Sequence, residues 1–163
     1  MSLEITPTTS APQIETIRAL FTEYAQSLGF SLCFQGFDEE LAGLPGAYVP
    51  PQGRLFLATV DGQPAGCVAL RPLPGDACEL KRLYVRPAFR ATGLGRQLMD
   101  RILAEARGIG YRRMRLTSVV GEMDRAIAMY QRYGFTEVAP YDDHPVAGTI
   151  WMELELSGSG QPR

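Results

Sequence analysis

Arg90-Ala91-Thr92-Gly93-Leu94-Gly95 joins two segments of the chain that have different hydrophobic periodicities. Residues 78–85, before it, form an apolar run typical of a β-strand, and Arg86-Pro87 closes that run. After it, apolar residues recur at the spacing of one helical face, at Leu94, Leu98, Met99, Ile102, Leu103 and Ala106. The segment is therefore predicted to be a turn that leads from a strand directly into a helix.

A glycine-containing turn at the start of a helix is a natural site for phosphate, because N–H groups meet there at the positive end of the helix dipole. Gly93 and Gly95 have no Cβ atom to hold an anion away, and Arg90 and Arg96 can add charge-assisted hydrogen bonds. The segment lacks the lysine of a P-loop and the third glycine of a dinucleotide fingerprint. The glycines alone would indicate a packing turn, but with the strand, the arginine and the helix they favour phosphate binding.

At this turn the chain resembles the GNAT superfamily of acyl-CoA-dependent N-acetyltransferases, whose central motif is Arg/Gln-x-x-Gly-x-Gly/Ala between a strand and a helix. Residues 79–87 resemble the fourth strand of that family, and residues 128–135 resemble its late helix with the signature Tyr-x-x-x-Gly-Phe. The matches extend from about residue 54 to the last predicted strand, in the family's order of elements. The resemblance implies that acetyl-CoA is the co-substrate.

In that family the loop amides bind the pyrophosphate of acetyl-CoA, and the pantetheine arm lies along the fourth strand. The cofactor-binding residues that the resemblance implies here are Leu83, Tyr84, Val85, Arg90, Ala91, Thr92, Gly93, Leu94, Gly95 and Arg96. The family polarises the thioester carbonyl with a main-chain N–H, which corresponds to the backbone near Leu83 or Val85. The lone His144 and the scattered acids show no metal-ligand spacing, so no metal is predicted.

The composition indicates one soluble globular domain. The chain has 163 residues, 45% of them apolar and 21% charged, and no apolar run long enough to span a bilayer. A net charge of −2 argues against a nucleic-acid partner, and three cysteines without a CxxC pair indicate reduced thiols. We therefore expect a cytoplasmic protein whose partner is a small-molecule or peptide amine, with no nucleic acid and no membrane; homodimerisation stays open.

Periodicity and turn signals predict the order of the elements. Strands are predicted over residues 3–8, 55–60, 65–70, 78–85, 114–119, 135–139 and 150–156, and helices over 14–28, 38–42, 94–107 and 124–133. This order predicts an α/β (α+β), GNAT-like single domain over residues 1–156, with a mixed, mostly antiparallel sheet of about six or seven strands and about four helices. Residues 157–163 are rich in Gly and Ser and are expected to form a flexible C-terminal tail.

Acyl transfer from a thioester to an amine requires an uncharged amine, a polarised carbonyl and a stabilised leaving thiolate. A lysine-like amine with a pKa of ~10.4 costs about 4.6 kcal/mol to deprotonate at pH 7, and an α-amine only about 1 kcal/mol. A general base therefore matters most for a strongly basic acceptor. Because the chain shows no Ser-His-Asp or Cys-His arrangement, we expect direct attack in a ternary complex rather than a covalent intermediate.

The family resemblance implies catalytic roles for Glu79 and Tyr130. A glutamate at this point of the fourth strand is the general base in several family members, and the tyrosine four residues before Gly-Phe is the general acid toward the departing sulfur. The residues by themselves leave alternatives open. Glu79 could be an exposed carboxylate paired with Lys81 or Arg82, and Tyr130 could be a core residue with its hydroxyl at the edge.

Residues 30–53 are the candidate acceptor site, because long irregular segments inside a compact domain are often functional. Phe34 and Phe37, together with Glu79, are the predicted substrate-binding residues, although the aromatic side chains could equally pin the loop to the core. Residues 141–145 form a second candidate region. A different class of function also stays open: the domain could bind acyl-CoA as a sensor or partner-binding module without turnover.

Overall fold

The structure is a computed structural model that describes residues 2–32 and 36–156. Within these ranges the strands are Leu3–Pro7 (β1), Arg54–Val60 (β2), Gln63–Leu73 (β3), Ala77–Val85 (β4), Arg113–Val119 (β5), Thr136–Val138 (β6) and Thr149–Glu155 (β7). The α-helices there are Ala11–Ser27 (α1), Phe37–Ala42 (α2), Leu94–Ile109 (α3) and Asp124–Tyr133 (α4). Phe34 and the predicted tail, residues 157–163, lie outside the described residues.

The strands form one seven-stranded sheet in the order β1-β2-β3-β4-β5-β7-β6. Neighbouring strands are antiparallel except for β4 and β5, which are parallel. The predicted fold class, a mixed and mostly antiparallel sheet with helices, is confirmed. Helix α3 ends at Ile109, within the predicted stop at residues 108–110, and its C-cap is Gly110, whose φ of 109° suits that position.

Helices cover both faces of the sheet. Helix α3 packs against one face through Leu98, Met99 and Ile102, all fully buried, and α4 joins it there. Helix α1 packs against the other face through Ile17 and Phe21. Nowhere in the part of the chain that the structure describes is a helix long and apolar enough to cross a membrane.

The central strands β4 and β5 are paired only at their first residues. The parallel ladder joins residues 77–79 to residues 113–115 and then stops. Strand β5 nevertheless stays paired with β7 as far as Val119, so its second half is ordered although it has left β4. The two strands therefore open a gap near the middle of the sheet.

A β-bulge in β4 stands at the start of this gap. Cys67 of β3 pairs with Tyr84 and Ala69 pairs with Lys81, so β4 carries one residue more than β3 between these two pairs. Arg82, inside the bulge, has a left-handed φ of 59°. As a result Lys81 and Arg82, although consecutive in sequence, both have contacts on the side of the sheet that carries α2.

Candidate active site

A groove of about 830 Å³, which we call the α3 groove, opens between the end of β4, the turn after it and helix α4. Its lining includes all of the predicted cofactor-binding residues except Thr92, namely Leu83, Tyr84, Val85, Arg90, Ala91, Gly93, Leu94, Gly95 and Arg96. The Thr92 hydroxyl instead donates a hydrogen bond to the carbonyl oxygen of Phe89 at 2.6 Å. The structure therefore brings nearly all of the predicted cofactor-binding residues together in one groove.

Helix α3 begins at this groove, and no side chain caps its N-terminus. Ala91 and Gly93 have left-handed φ values of 64° and 85°, which turn the chain sharply before Leu94. The N–H groups of the first helical turn have no partner within the helix and lie at the positive end of its dipole. This turn can therefore donate several main-chain hydrogen bonds to an anion.

The described lining of the α3 groove includes four arginines, of which the sequence pattern identified two. Arg90 and Arg96 flank the turn, whereas Arg125 and Arg132 come from α4. The latter two are seven residues apart and so share one face of the helix, which is the signal that could have identified them. Nε of Arg90 also donates to the carbonyl oxygen of Val85 at 3.0 Å. The groove thus offers the charge that phosphate groups require.

Tyr130 stands where the α3 groove meets the gap between the strands. This gap, which we call the strand gap, is lined by residues 80–83 of β4, residues 116–118 of β5 and parts of α1 and α4. The Tyr130 ring is buried against Phe135, with ring centroids 5.7 Å apart, and its hydroxyl makes no hydrogen bond within the described residues. Burial raises the pKa of this phenol, which is therefore protonated at neutral pH.

Tyr133, one residue before the helix C-cap, is held differently. Its hydroxyl donates to Oδ1 of Asp100 at 2.6 Å and lies 3.2 Å from the carbonyl oxygen of Arg96. Both partners belong to α3, so Tyr133 joins α4 to α3 along the groove. Two tyrosines of one helix therefore face the same groove, but only one of them has its hydroxyl fixed by protein groups.

A second cavity, of about 500 Å³, lies on the α2 side of the sheet, and we call it the α2 cleft. Its walls come from α2, the 3₁₀ turn Gly46–Tyr48, strands β3 to β5 and residues 142–144. Lys81 and Thr117 line both this cleft and the strand gap, and Tyr130 lines both the strand gap and the α3 groove. The three cavities therefore adjoin one another across the sheet and share parts of their walls.

Glu79 faces the α2 cleft and is only 1% exposed. Its Oε1 accepts a hydrogen bond from Nε of Arg71 at 2.6 Å and forms an ion pair with Nη2 of the same guanidinium, also at 2.6 Å. Its Oε2 accepts a hydrogen bond from the Tyr141 hydroxyl at 2.8 Å. The alternative of an exposed carboxylate is therefore wrong; the ion-pair partner is Arg71, directly opposite in the β3–β4 register. A carboxylate can accept about four hydrogen bonds, so one acceptor position remains on Oε2.

The buried side chain of Arg82 binds Glu40 of α2. The guanidinium donates from Nε to Oε2 at 3.0 Å and from Nη2 to Oε1 at 2.8 Å, and the Tyr48 hydroxyl adds a bond to Oε2 at 2.9 Å. Burial alone would raise the pKa of Glu40, but hydrogen bonds and charge from Arg82 hold it below its ordinary value. Phe37, predicted to contact substrate, lies instead in the core, 5.2 Å from the Arg82 guanidinium carbon.

Lys81 is the only lysine of the chain, and its side chain is half-buried. Burial and the neighbouring charge of Arg82 lower its pKa to about 8, while the carboxylate of Glu79 acts in the opposite direction. Lys81 therefore changes its charge near neutral pH at the place where the α2 cleft meets the strand gap. Sequence reasoning weighed it only as a partner of Glu79.

Residues 142–144, in the second candidate region, also line the α2 cleft. His144 places its Nδ1 2.7 Å from the Thr149 hydroxyl, and its ring lies between Phe30 and Trp151. Burial lowers the pKa of His144, so it is neutral at neutral pH. Over residues 2–32 and 36–156, no group of three or more His, Cys, Asp or Glu side chains is placed to hold a metal ion.

Comparison with known proteins identifies the family. Residues 15–135 match the model of the acetyltransferase (GNAT) family. An uncharacterized N-acetyltransferase of Schizosaccharomyces pombe is 36% identical to this chain over 146 residues, which cover 88% of this chain and 89% of that protein. The chain belongs to the GNAT acetyltransferase family and is an acyltransferase, as the motifs indicated.

Solved structures of the family share this fold. An acetyltransferase of the GNAT family from Staphylococcus aureus Mu50 superimposes with a TM-score of 0.79 at 15% identity, over 95% of this chain and 99% of that chain. The PaiA N-acetyltransferase from Thermoplasma acidophilum, in complex with coenzyme A, superimposes with a TM-score of 0.72 at 17% identity, over 95% and 99% of the two chains.

The pKa of Lys81 can be measured directly because the chain has no other lysine. Protein labelled with ¹³C at the lysine Cε should give one resonance, and its chemical shift should titrate at about 8 in the folded state, rather than near the ordinary ~10.4. Between these two values Lys81 binds fewer protons in the native state than in the unfolded state, so its own contribution to the free energy of unfolding rises with pH. In urea unfolding, the difference between the wild-type protein and Lys81→Met should therefore change in favour of the wild type from pH 8 to pH 9. Titration of the resonance near the ordinary pKa would contradict the burial described here.

Proposed function

We propose that this protein transfers an acetyl group from acetyl-CoA to a primary amine by direct attack within a ternary complex. The observation that carries the proposal is that the strand gap adjoins both the α3 groove and the α2 cleft, with which it shares lining residues. A donor bound in the groove and an acceptor bound in the cleft would meet in the gap, already held in reacting geometry. No covalent enzyme intermediate is needed.

The donor would bind in the α3 groove. Its pyrophosphate would accept hydrogen bonds from the first turn of α3, with Arg90 and Arg96 neutralising its charge. The pantetheine arm would follow residues 83–85, which lie beyond the short ladder between β4 and β5. A main-chain N–H near Leu83 or Val85 would then polarise the thioester carbonyl. The coenzyme A bound to the Thermoplasma protein supports this class of ligand.

In the reaction the amine nitrogen attacks the thioester carbonyl carbon, a C–N bond forms and the C–S bond breaks. The nitrogen loses a proton, and the sulfur leaves as a thiolate. Tyr130 would donate a hydrogen bond to that sulfur from its position between groove and gap. Because burial raises the pKa of the phenol far above the ~8.5 of a thiol, the hydrogen bond itself, rather than complete proton transfer, would stabilise the leaving group.

The first experiment combines calorimetry with a thiol-release assay. The wild-type protein should bind coenzyme A and should release free thiol from acetyl-CoA in the presence of at least one primary amine of a broad panel. Arg96→Gln should weaken coenzyme A binding about 10-fold, since it removes a charge-assisted contact. Arg107→Gln, at the exposed far end of the same helix, should leave binding unchanged. Coenzyme A binding without thiol release from any amine would favour the sensor, and no binding would exclude the donor site.

Tyr130 and Tyr133 form a matched pair for testing the leaving-group role. Tyr130→Phe should lower kcat about 100-fold and leave coenzyme A affinity unchanged, because it removes only a donor to the departing sulfur. Tyr133→Phe, which breaks the bond to Asp100 along the same groove, should change kcat by less than about 3-fold. Equal kcat values for the two variants would show that Tyr130 has only a packing role.

For the proton that the amine loses, we propose Glu79 as the general base, acting through a water molecule at the remaining acceptor position of Oε2. Glu79→Gln should then lower kcat/KM about 100-fold for a strongly basic acceptor amine. Tyr141→Phe, which removes only a neighbouring hydroxyl, should lower it far less. If Glu79→Gln keeps the wild-type kcat/KM, the base is another group.

A further inference from the structure

The charged side chains of the α2 cleft fall into two groups that differ in exposure. Glu39, Asp142 and Asp143 are exposed and lie at the rim. The interior group, in the cleft or directly beneath it, is buried or half-buried; among the described residues it consists of Glu40, Glu79, Arg71, Lys81 and Arg82. Solvent and salt screen exposed charges far more than buried ones, so the interior group dominates the potential that a bound molecule meets.

The interior group holds one more positive than negative charge when Lys81 is protonated. Glu40 is matched by Arg82, and Glu79 is matched by Arg71, through the ion pairs described above. Two carboxylates therefore stand against three cations, all of them less exposed than the acids of the rim. An anionic group brought in by a ligand would balance this set of charges.

Arg71 and Lys81 are placed to reach one such group together. Arg71 lies directly opposite Glu79, and Lys81 is two residues further along β4, so Arg71 and Lys81 are diagonal neighbours across the two strands. Both line the α2 cleft. Nε of Arg71 donates a hydrogen bond to Oε1 of Glu79, and Nη2 lies in ion-pair contact with the same oxygen. No hydrogen bond within the described residues uses Nη1, and 38% of the side chain is exposed. A guanidinium edge beside an ammonium group recognises a carboxylate.

We propose that the acceptor is an amine that also carries a carboxylate, a free amino acid or a similarly compact amino carboxylate, and that Arg71 and Lys81 bind this carboxylate in the α2 cleft. The inference rests on the proposed acetyl transfer and adds the substrate class. The same cations disfavour the ammonium form of the acceptor amine, which assists the loss of its proton before attack. The acids of the rim would then attract the protonated amine from solution, but they would not contact it once it is bound in the interior of the cleft.

Binding of such an acceptor should change the protonation of Lys81. An added negative charge favours the ammonium form, so the pKa of Lys81 should rise above about 8 and the protein should take up protons near that pH. Within the described residues, the other charged or titratable groups that line the same cavities as Lys81 come from β3, β4, all of the α-helices except α3, the 3₁₀ turn after α2, and the segment after β6. They are Arg71, Glu79, Arg82, Tyr24, Glu39, Glu40, Tyr48, Tyr130, Asp142, Asp143 and His144. They are the same in the free and the bound protein, so the ligand is the difference that the measurement reports.

The test uses amines matched in side chain, each as the amino acid, its α-carboxamide and the amine without the carboxyl group. The amino acid should have a kcat/KM at least about 10-fold above its carboxamide, mainly through KM, because the carboxamide cannot accept charge-assisted bonds. Intrinsic reactivity alone would give the opposite order. The amine of the carboxamide has the lower pKa, so a larger fraction of it is neutral and able to attack. If the carboxamide or the amine without the carboxyl group matches or exceeds the amino acid in kcat/KM, the proposal is overturned in favour of recognition by the acids of the rim.

Variants separate the carboxylate contact from folding. Lys81→Met should raise KM for the amino acid about 10-fold and leave the carboxamide nearly unchanged, and Lys81→Arg should restore most of the difference. Arg71→Lys keeps a cation beside Glu79 and should show a smaller loss of the same kind. Arg113→Gln, at the half-buried start of β5 outside the cleft, is the control. A preference for the amino acid that survives Lys81→Met would remove Lys81 from the site.

A readout without turnover keeps this inference separate from the proposed function. The ¹³Cε resonance of Lys81 should move toward the charged form at pH 8 when the preferred amino acid is added, and not when its carboxamide is added. If no amine releases thiol, the proposed function fails while the resonance still reports carboxylate binding. If thiol is released only with amines that lack a carboxylate, the acetyl transfer stands and the substrate class is wrong.

Discussion

The separation of β4 from β5 beyond Glu79 is the constraint on which the rest of the site depends. Where the ladder stops, main-chain groups of both strands turn toward a gap instead of toward each other, and a ligand can use them. A left-handed φ at a residue other than glycine costs about 1–2 kcal/mol, and Arg82 adopts one inside the bulge. Its buried, bidentate bond to Glu40 helps to hold that conformation. The gap is therefore a stable opening, since β5 stays paired with β7 throughout.

The ion pairs on the α2 side act as one unit. The ion pair Glu40–Arg82 fixes α2 to β4, and the ion pair Glu79–Arg71 bridges β3 and β4. The shape of the α2 cleft therefore depends on all four of these charged side chains. Removing one member of such a pair leaves a buried charge without its partner, which is costly. Lys81 stands among these groups, and its low proton affinity follows from burial and from the cation beside it. The charges of the α2 cleft are thus placed by the same bulge in β4 that opens the strand gap.

The donor side follows from the placement of two helices. Helix α3 directs its uncapped N-terminus to the groove, and α4 contributes arginines from one face and Tyr130 from another. Tyr133 joins the two helices through Asp100, which fixes the distance across the groove. Because Tyr130 borders both the groove and the strand gap, the same helix that lines the donor site also reaches the place where donor and acceptor would meet.

The sequence by itself determined the order of the elements, the turn before α3 and the family, because periodicity, glycines and caps are local signals within a few residues. Only the tertiary structure decided the partners of Glu79 and Arg82, the core position of Phe37 and the arginines that α4 brings to the groove. These contacts are set by strand register and by a bulge at Arg82. Arginine has no preference for a left-handed φ, so the sequence gives no sign of this bulge. Glu40 and Arg82 are 42 residues apart, so no short-range pattern could have paired them.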